Sequence, residues 1–188
     1  TGKEAHWFQK IFFGNLLWFG QYWNDFTVHG MENIASDNCL IVGYHSRCTL
    51  DLCYVNAALR PTIIASHMFF SFPPFLYFLR ALNINPSKGK LTSTTSSSFL
   101  RLIQQDRPLL LIPGGAYEFA KDYAHRYVVD WKAAPGFARA LLDDANRSER
   151  NTKVVPFHVR NCEEVYFTSS AWFNFSGNTI RFCLERIK

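Results

Sequence analysis

No Cys-x-x-Cys pair occurs among the five cysteines, Cys39, Cys48, Cys53, Cys162 and Cys183. Their odd number and irregular spacing argue against a disulfide framework or a zinc ribbon, and thiols in a reducing compartment are the simpler reading. The sequons at Asn146 and Asn174 then carry meaning only if the domain is lumenal. His45, Cys48 and Asp51 lack a fourth partner at recognisable spacing, so no metal site is expected. No RNP, zinc-finger or helix-turn-helix signature is present, and the basic residues are scattered, which removes nucleic acid from the expected partners. There is no Gly-x-Ser-x-Gly elbow and no internal repeat. No uninterrupted apolar run reaches the ~18–20 residues of a bilayer span, and no signal peptide is visible. The chain opens on Thr1 and stops at Lys188 after a strand-like run, which suggests a fragment whose anchor, if any, lies elsewhere.

What is present suits one α/β domain. Of 188 residues, 48% are hydrophobic and 19% charged, enough apolar material for a sizeable core. Aromatics are abundant, with 18 Phe and 5 Trp, and they gather in two segments rather than spreading evenly. The first, Trp7 to Trp23, reads as an amphipathic helix lying in a membrane interface, despite Gly14 and Gly20. It divides the chain into a membrane-associated helix over 1–25 and a globular domain over 26–188. The second, His67 to Leu82, is broken by Pro73 and Pro74 and fits either an apolar wall or a buried helix. A net charge of +5 matches anionic headgroups or an anionic substrate.

Strand patterns are expected at Phe26–Gly30, Leu40–Val42, Pro61–Ala65, Leu109–Ile112, Lys153–Val159 and Thr179–Cys183. Helices are expected at about 50–59, 97–105 and from Pro135 onward, with Thr49 as a cap for the first. The alternation of strands and helices predicts a mixed, mostly parallel sheet flanked by helices, with the strands around helix 50–59 as parallel neighbours. Asn85 to Lys90 reads as a loop whose Lys88 and Lys90 either meet phosphate or stay solvated.

Two strand ends carry chemistry. After Leu40–Val42 comes Gly43-Tyr44-His45-Ser46-Arg47-Cys48-Thr49-Leu50-Asp51. A turn imidazole there takes a proton from a hydroxyl, and a carboxylate on its other nitrogen fixes the tautomer and stabilises the imidazolium. Read locally, the pair is equally a solvated His beside an Asp that complements a helix dipole. After Leu109–Leu111 comes Ile112-Pro113-Gly114-Gly115-Ala116-Tyr117-Glu118. Gly114 and Gly115 expose backbone N–H groups to phosphate or an oxyanion, or merely make a turn. Both strands end on the carboxyl edge of the sheet, where open α/β sheets bind ligands.

The ordered set Gly30-Met-Glu-Asn-Ile, Tyr44-His45 to Asp51, Ile112-Pro-Gly-Gly-Ala-Tyr-Glu118, Trp131-Lys to Gly136-Phe-Ala-Arg and Val155-Pro-Phe resembles the glycerolipid acyltransferase superfamily over residues 27–160. Five residues separate His45 from Asp51, one more than the commoner spacing, which resembles the branch of type-two diacylglycerol acyltransferases and transmembrane protein 68-like proteins. Ser46, Thr49 and Tyr117 depart from the residues usual there. The resemblance implies acyl transfer from acyl-coenzyme A, a substrate rather than a cofactor, to a glycerolipid hydroxyl on a membrane, with no cofactor. His45 is then the general base and Asp51 its partner. Gly114, Gly115, Lys88 and Lys90 bind substrate, and Glu118 positions the loop. Pro-Gly-Gly-Ala-Tyr, where phosphate-acceptor members carry Glu-Gly-Thr-Arg, implies mono- or diacylglycerol as acceptor, at the cytosolic face of the endoplasmic reticulum. A lysophosphatidate or other lysophospholipid acyltransferase, a hydrolase using Ser46 or Cys48, and a silent lipid-binding module are the rival readings.

Overall fold

A computed structural model describes residues 2–34, 38–46, 50–66, 84–87, 99, 102–103, 108–115, 118, 121, 123–129, 131, 136–148 and 152–163. Helix α1 (Gly2–Asn24) precedes strand β1 (Cys39–Val42), helix α2 (Leu50–Leu59), strands β2 (Thr62–Ser66), β3 (Ile84–Ser87) and β4 (Leu109–Leu111), helix α3 (Gly136–Ser148) and strand β5 (Lys153–Pro156). The five strands form one sheet in the order β3-β2-β4-β1-β5, and all four pairings are parallel.

Parallel sheets are covered on both faces, so their central strands are apolar at every position. Leu40 and Val42 of β1 join Leu109 and Leu111 of β4 against Phe99, Ile103 and Ala140, with Phe137 and Leu141 of α3 beside them. The alternate residues Cys39, Ile41 and Leu110 meet Val55, Leu52 and Leu59 of α2 on the other face. The period-two geometry of a strand divides these side chains between two cores. Leu40, Ile41, Leu109 and Leu110 are at most 1% exposed. Burying each contributes about 1.5–3 kcal/mol, and truncating Leu40 to Ala costs about 2–5 kcal/mol.

Four expectations are corrected. Strand β4 lies between β1 and β2, so the strands flanking α2 are parallel but not adjacent. Ile84–Ser87 is a strand rather than the start of a loop, paired to β2 as Ile63 to Ile84 and Ala65 to Pro86. Among the described strands it lies at one end of the sheet, where the missing N–H of proline is tolerated, and Pro156 of β5 lies at the other end. Phe26–Gly30 is irregular despite its alternation. Its first N–H closes helix α1 by donating to the Gly20 carbonyl at 3.0 Å, after Asp25 takes a left-handed φ of 49°. The Phe26 ring then packs on Tyr54, with centroids 4.9 Å apart. His158 follows β5 rather than lying in it. The second aromatic segment, Thr49 and Thr179–Cys183 lie outside the described residues, as do most of 97–105.

Helix α1 uses one face to pack on α2. Phe13 meets Ala57, Gly20 lies under the Tyr54 ring, and the Asn24 amide donates to the Tyr54 hydroxyl at 2.5 Å. Trp7, Ile11, Trp18 and Tyr22, spaced by fours and a seven, stand exposed on the opposite face. No helix among the described residues is long and apolar enough to cross a membrane.

Candidate active site

His45 is presented by the end of β1. Strand pairing continues one step past Val42: the Gly43 N–H donates to the Leu111 carbonyl at 3.3 Å, and the Phe157 N–H donates to the Val42 carbonyl at 2.9 Å. A Cβ on Gly43 would sit 2.2 Å from the Phe157 ring, so only glycine lets that ring cross the strand end. The chain then turns, and His45 is left 7% exposed at the carboxyl edge of the sheet.

Asp51, in the first turn of α2 and 1% exposed, closes this turn from the other side. Its Oδ2 accepts the Ser46 N–H at 2.8 Å, its Oδ1 accepts the Leu52 N–H at 2.7 Å, and Oδ1 lies 3.4 Å from His45 Nδ1. Burial by itself would raise the Asp51 pKa. The His45 ring and its charge, together with the two backbone N–H donors, outweigh burial and hold the carboxyl below its ordinary value. An Asp51 anion directed at Nδ1 leaves Nε2 as the nitrogen suited to accept a substrate proton.

The glycine turn after β4 brings a second carboxylate to the same place. The Gly115 N–H donates to the Ile112 carbonyl at 3.1 Å, and Gly115 adopts φ 52°, a conformation most residues avoid. Glu118 is fully buried, and its Oε2 accepts the His45 N–H at 2.8 Å. A Cβ on Gly114 would lie 2.2 Å from both Cγ and Cδ of Glu118. The clearance Gly114 provides is therefore for the protein's own carboxylate.

His45, Asp51, Gly114 and Glu118 thus come together, with Gly115 in the adjoining turn. The N–H groups of His45, Ser46 and Gly115 are already donated to protein acceptors. Lys88 and Lys90 lie outside the described residues, as do Cys48 and Tyr117. Among the described residues no three His, Cys, Asp or Glu side chains are grouped to hold a metal ion. His29 is exposed, with its Nε2 3.3 Å from the Thr27 hydroxyl.

Sequence reasoning missed Lys121 and Glu163 and gave Tyr44, though part of the motif, no role of its own. The Lys121 and Glu163 side chains, each nearly fully buried, form an ion pair beside Tyr44, the residue before His45. Glu163 lies far along the chain from both, and no spacing rule pairs it with either. The only signal was Lys121 three residues after Glu118, which places both on one turn.

The acyltransferase family model matches residues 25–160, so the chain belongs to that family. Curated relatives that it matches carry the name DGAT1/2-independent enzyme synthesizing storage lipids. The Gallus gallus protein is 27% identical over 152 residues, covering 77% of this chain and 41% of the relative. The Mus musculus protein is 26% identical, covering 79% and 43%. The Homo sapiens protein is 27% identical, covering 79% and 44%. The chain therefore spans less than half the length of these relatives. No solved structure matches it.

Proposed function

For a chain that belongs to the acyltransferase family, we propose transfer of a fatty acyl group from acyl-coenzyme A to the hydroxyl of a mono- or diacylglycerol. One observation carries this reading: an imidazole at a sheet edge with a buried carboxylate on Nδ1 and a second carboxylate holding its backbone. The storage-lipid names of the relatives favour a neutral-lipid product.

His45 Nε2 takes the proton of the acceptor hydroxyl as the oxygen attacks the thioester carbonyl carbon. The tetrahedral intermediate collapses by breaking the carbon–sulfur bond, and the departing coenzyme A thiolate takes the proton back from His45. No acyl-enzyme forms. Asp51 stabilises the transient imidazolium, and Glu118 keeps the ring in register with both substrates by fixing its backbone. The loop of Gly114 and Gly115 borders the thioester.

The substrate is reached from a membrane surface. Trp7, Trp18, Tyr22 and Trp23 of α1 are 63–74% exposed, and indole and phenol rings settle at the headgroup level of a bilayer. A net charge of +5 adds attraction to anionic lipid.

The test offers one labelled acyl-coenzyme A to vesicles that contain monoacylglycerol, diacylglycerol or lysophosphatidate. Label is expected in neutral lipid and absent with His45→Ala. Undiminished transfer by that variant overturns the mechanism, and label confined to phosphatidate moves the acceptor assignment to the lysophospholipid class.

A further inference from the structure

Beside the base lies a charged pair that the reaction does not use. Lys121 and Glu163 are 2% and 1% exposed and bonded to one another, and the Lys121 ammonium also lies 3.4 Å from the Val128 carbonyl. Replacing such a buried pair with apolar side chains of similar volume is often neutral or stabilising, so stability is a weak reason to find one. The ammonium does have a further contact. It sits 4.7 Å from the centroid of the Tyr44 ring, well within the range of cation–π attraction, which is strongest for a desolvated cation. Burial, with the Glu163 carboxylate next in effect, pushes the Tyr44 hydroxyl pKa up, so the ammonium faces a neutral phenol. His158 stacks on the same ring at 5.4 Å.

The backbone links this contact to the base. The Lys121 N–H approaches the Glu118 carbonyl at 3.4 Å, so the two side chains leave a single turn. One grips the amide of residue 45, and the other rests on the ring of residue 44.

We propose that the Lys121–Glu163 pair is a positioning device for His45: Glu163 holds the Lys121 ammonium against the Tyr44 ring, which with Glu118 fixes the backbone that presents the imidazole. This rests on the acyl-transfer reading for its effect on turnover, though not for its effect on structure.

The test replaces both charges at near-constant volume, Lys121→Met with Glu163→Leu, so that neither charge is left buried alone. Without substrate, the His45 and Ser46 amide resonances are followed by NMR alongside a thermal melt. With substrate, kcat and KM are measured. The melt is expected to stay near that of the wild type and KM for acyl-coenzyme A within about twofold, while the His45 amide shifts and kcat falls about 10- to 100-fold. Tyr44→Leu, which leaves the ion pair intact, should reproduce the fall, and Tyr44→Phe should retain more of kcat than Tyr44→Leu. Wild-type kcat with an unmoved His45 amide in the double variant overturns the proposal. Should that variant not fold, the same result in Tyr44→Leu overturns it. If wild type and His45→Ala transfer label equally, the acyl-transfer reading falls, and the amide resonances still decide whether the pair positions residue 45.

Discussion

Gly114→Ala isolates the fit between the glycine turn and His45. The added methyl would lie 2.2 Å from Cγ and Cδ of Glu118 and 2.6 Å from Oε2. Carbon atoms in contact sit about 3.5–4.0 Å apart, so the Glu118 side chain must withdraw by more than about 1 Å. Its 2.8 Å bond from the His45 N–H does not survive such a shift unless the whole turn moves with it. Losing a buried hydrogen bond to a charged group costs about 1.5–3 kcal/mol, and overpacking costs about 1–3 kcal/mol more. A displacement of this size at the base lowers kcat by roughly 100-fold. The assay pairs a thermal melt with transfer of labelled acyl chains. The control is the double variant Gly114→Ala with Glu118→Ala, which removes the atoms in conflict. Its melt should recover above that of Gly114→Ala alone while kcat stays low, because neighbouring substitutions couple. Wild-type melting and turnover in Gly114→Ala refute the reasoning, as does a double variant less stable than the single one.

Asp51→Asn places an amide NH₂ opposite either the Ser46 or the Leu52 N–H, whichever way it is turned, since each carboxylate oxygen already accepts one of them. A stability loss of about 1.5–3 kcal/mol and a kcat lower by roughly 10³-fold or more are expected by melt and acyl-transfer assay. The folded Asp51 pKa is depressed, so its contribution to stability is complete above the ordinary Asp value of about 3.9 and disappears as pH falls through the lower folded value. The melt of the wild type should therefore drop in that acid window, and Asp51→Asn should flatten this part of the profile. Gly14→Ala meets nothing within 4 Å inside an exposed stretch of α1 and should stabilise by about 0.5–1 kcal/mol, read as a rise of a few degrees in Tm. Trp18→Ser with Tyr22→Ser removes a stacked exposed pair, centroids 5.4 Å apart, and should weaken sedimentation with anionic vesicles while leaving the melt unchanged.

What could be read from the sequence was what depends on near neighbours. Leu40–Val42 and Leu109–Leu111 announced themselves because central parallel strands are apolar on both faces. His45 and Asp51 were legible because a strand end, a turn and a helix start bring them together over six positions. Ile84–Ser87 was not, since Asn, Pro and Ser become strand only by pairing with β2. Phe26–Gly30 misled because its alternation served a helix end and the Tyr54 ring. The position of β4 between β1 and β2 is likewise a choice of partners made across the chain.

The glycine turn marks the boundary between the two kinds of information. Sequence reasoning placed a carboxylate after two glycines and assigned the bare backbone to a ligand. Yet the space above Gly114 is taken by Glu118, whose partner is 73 residues away. Only the pairing of β1 with β4 creates that contact, because it puts the two strand ends side by side. The same adjacency brings Lys121 to Tyr44. Asp51 meets the ring from within the local motif, whereas Glu118 accepts the His45 N–H and Lys121 rests on the Tyr44 ring from the turn beyond β4. Substitutions at β4 and its turn should therefore act on kcat even where they touch no substrate.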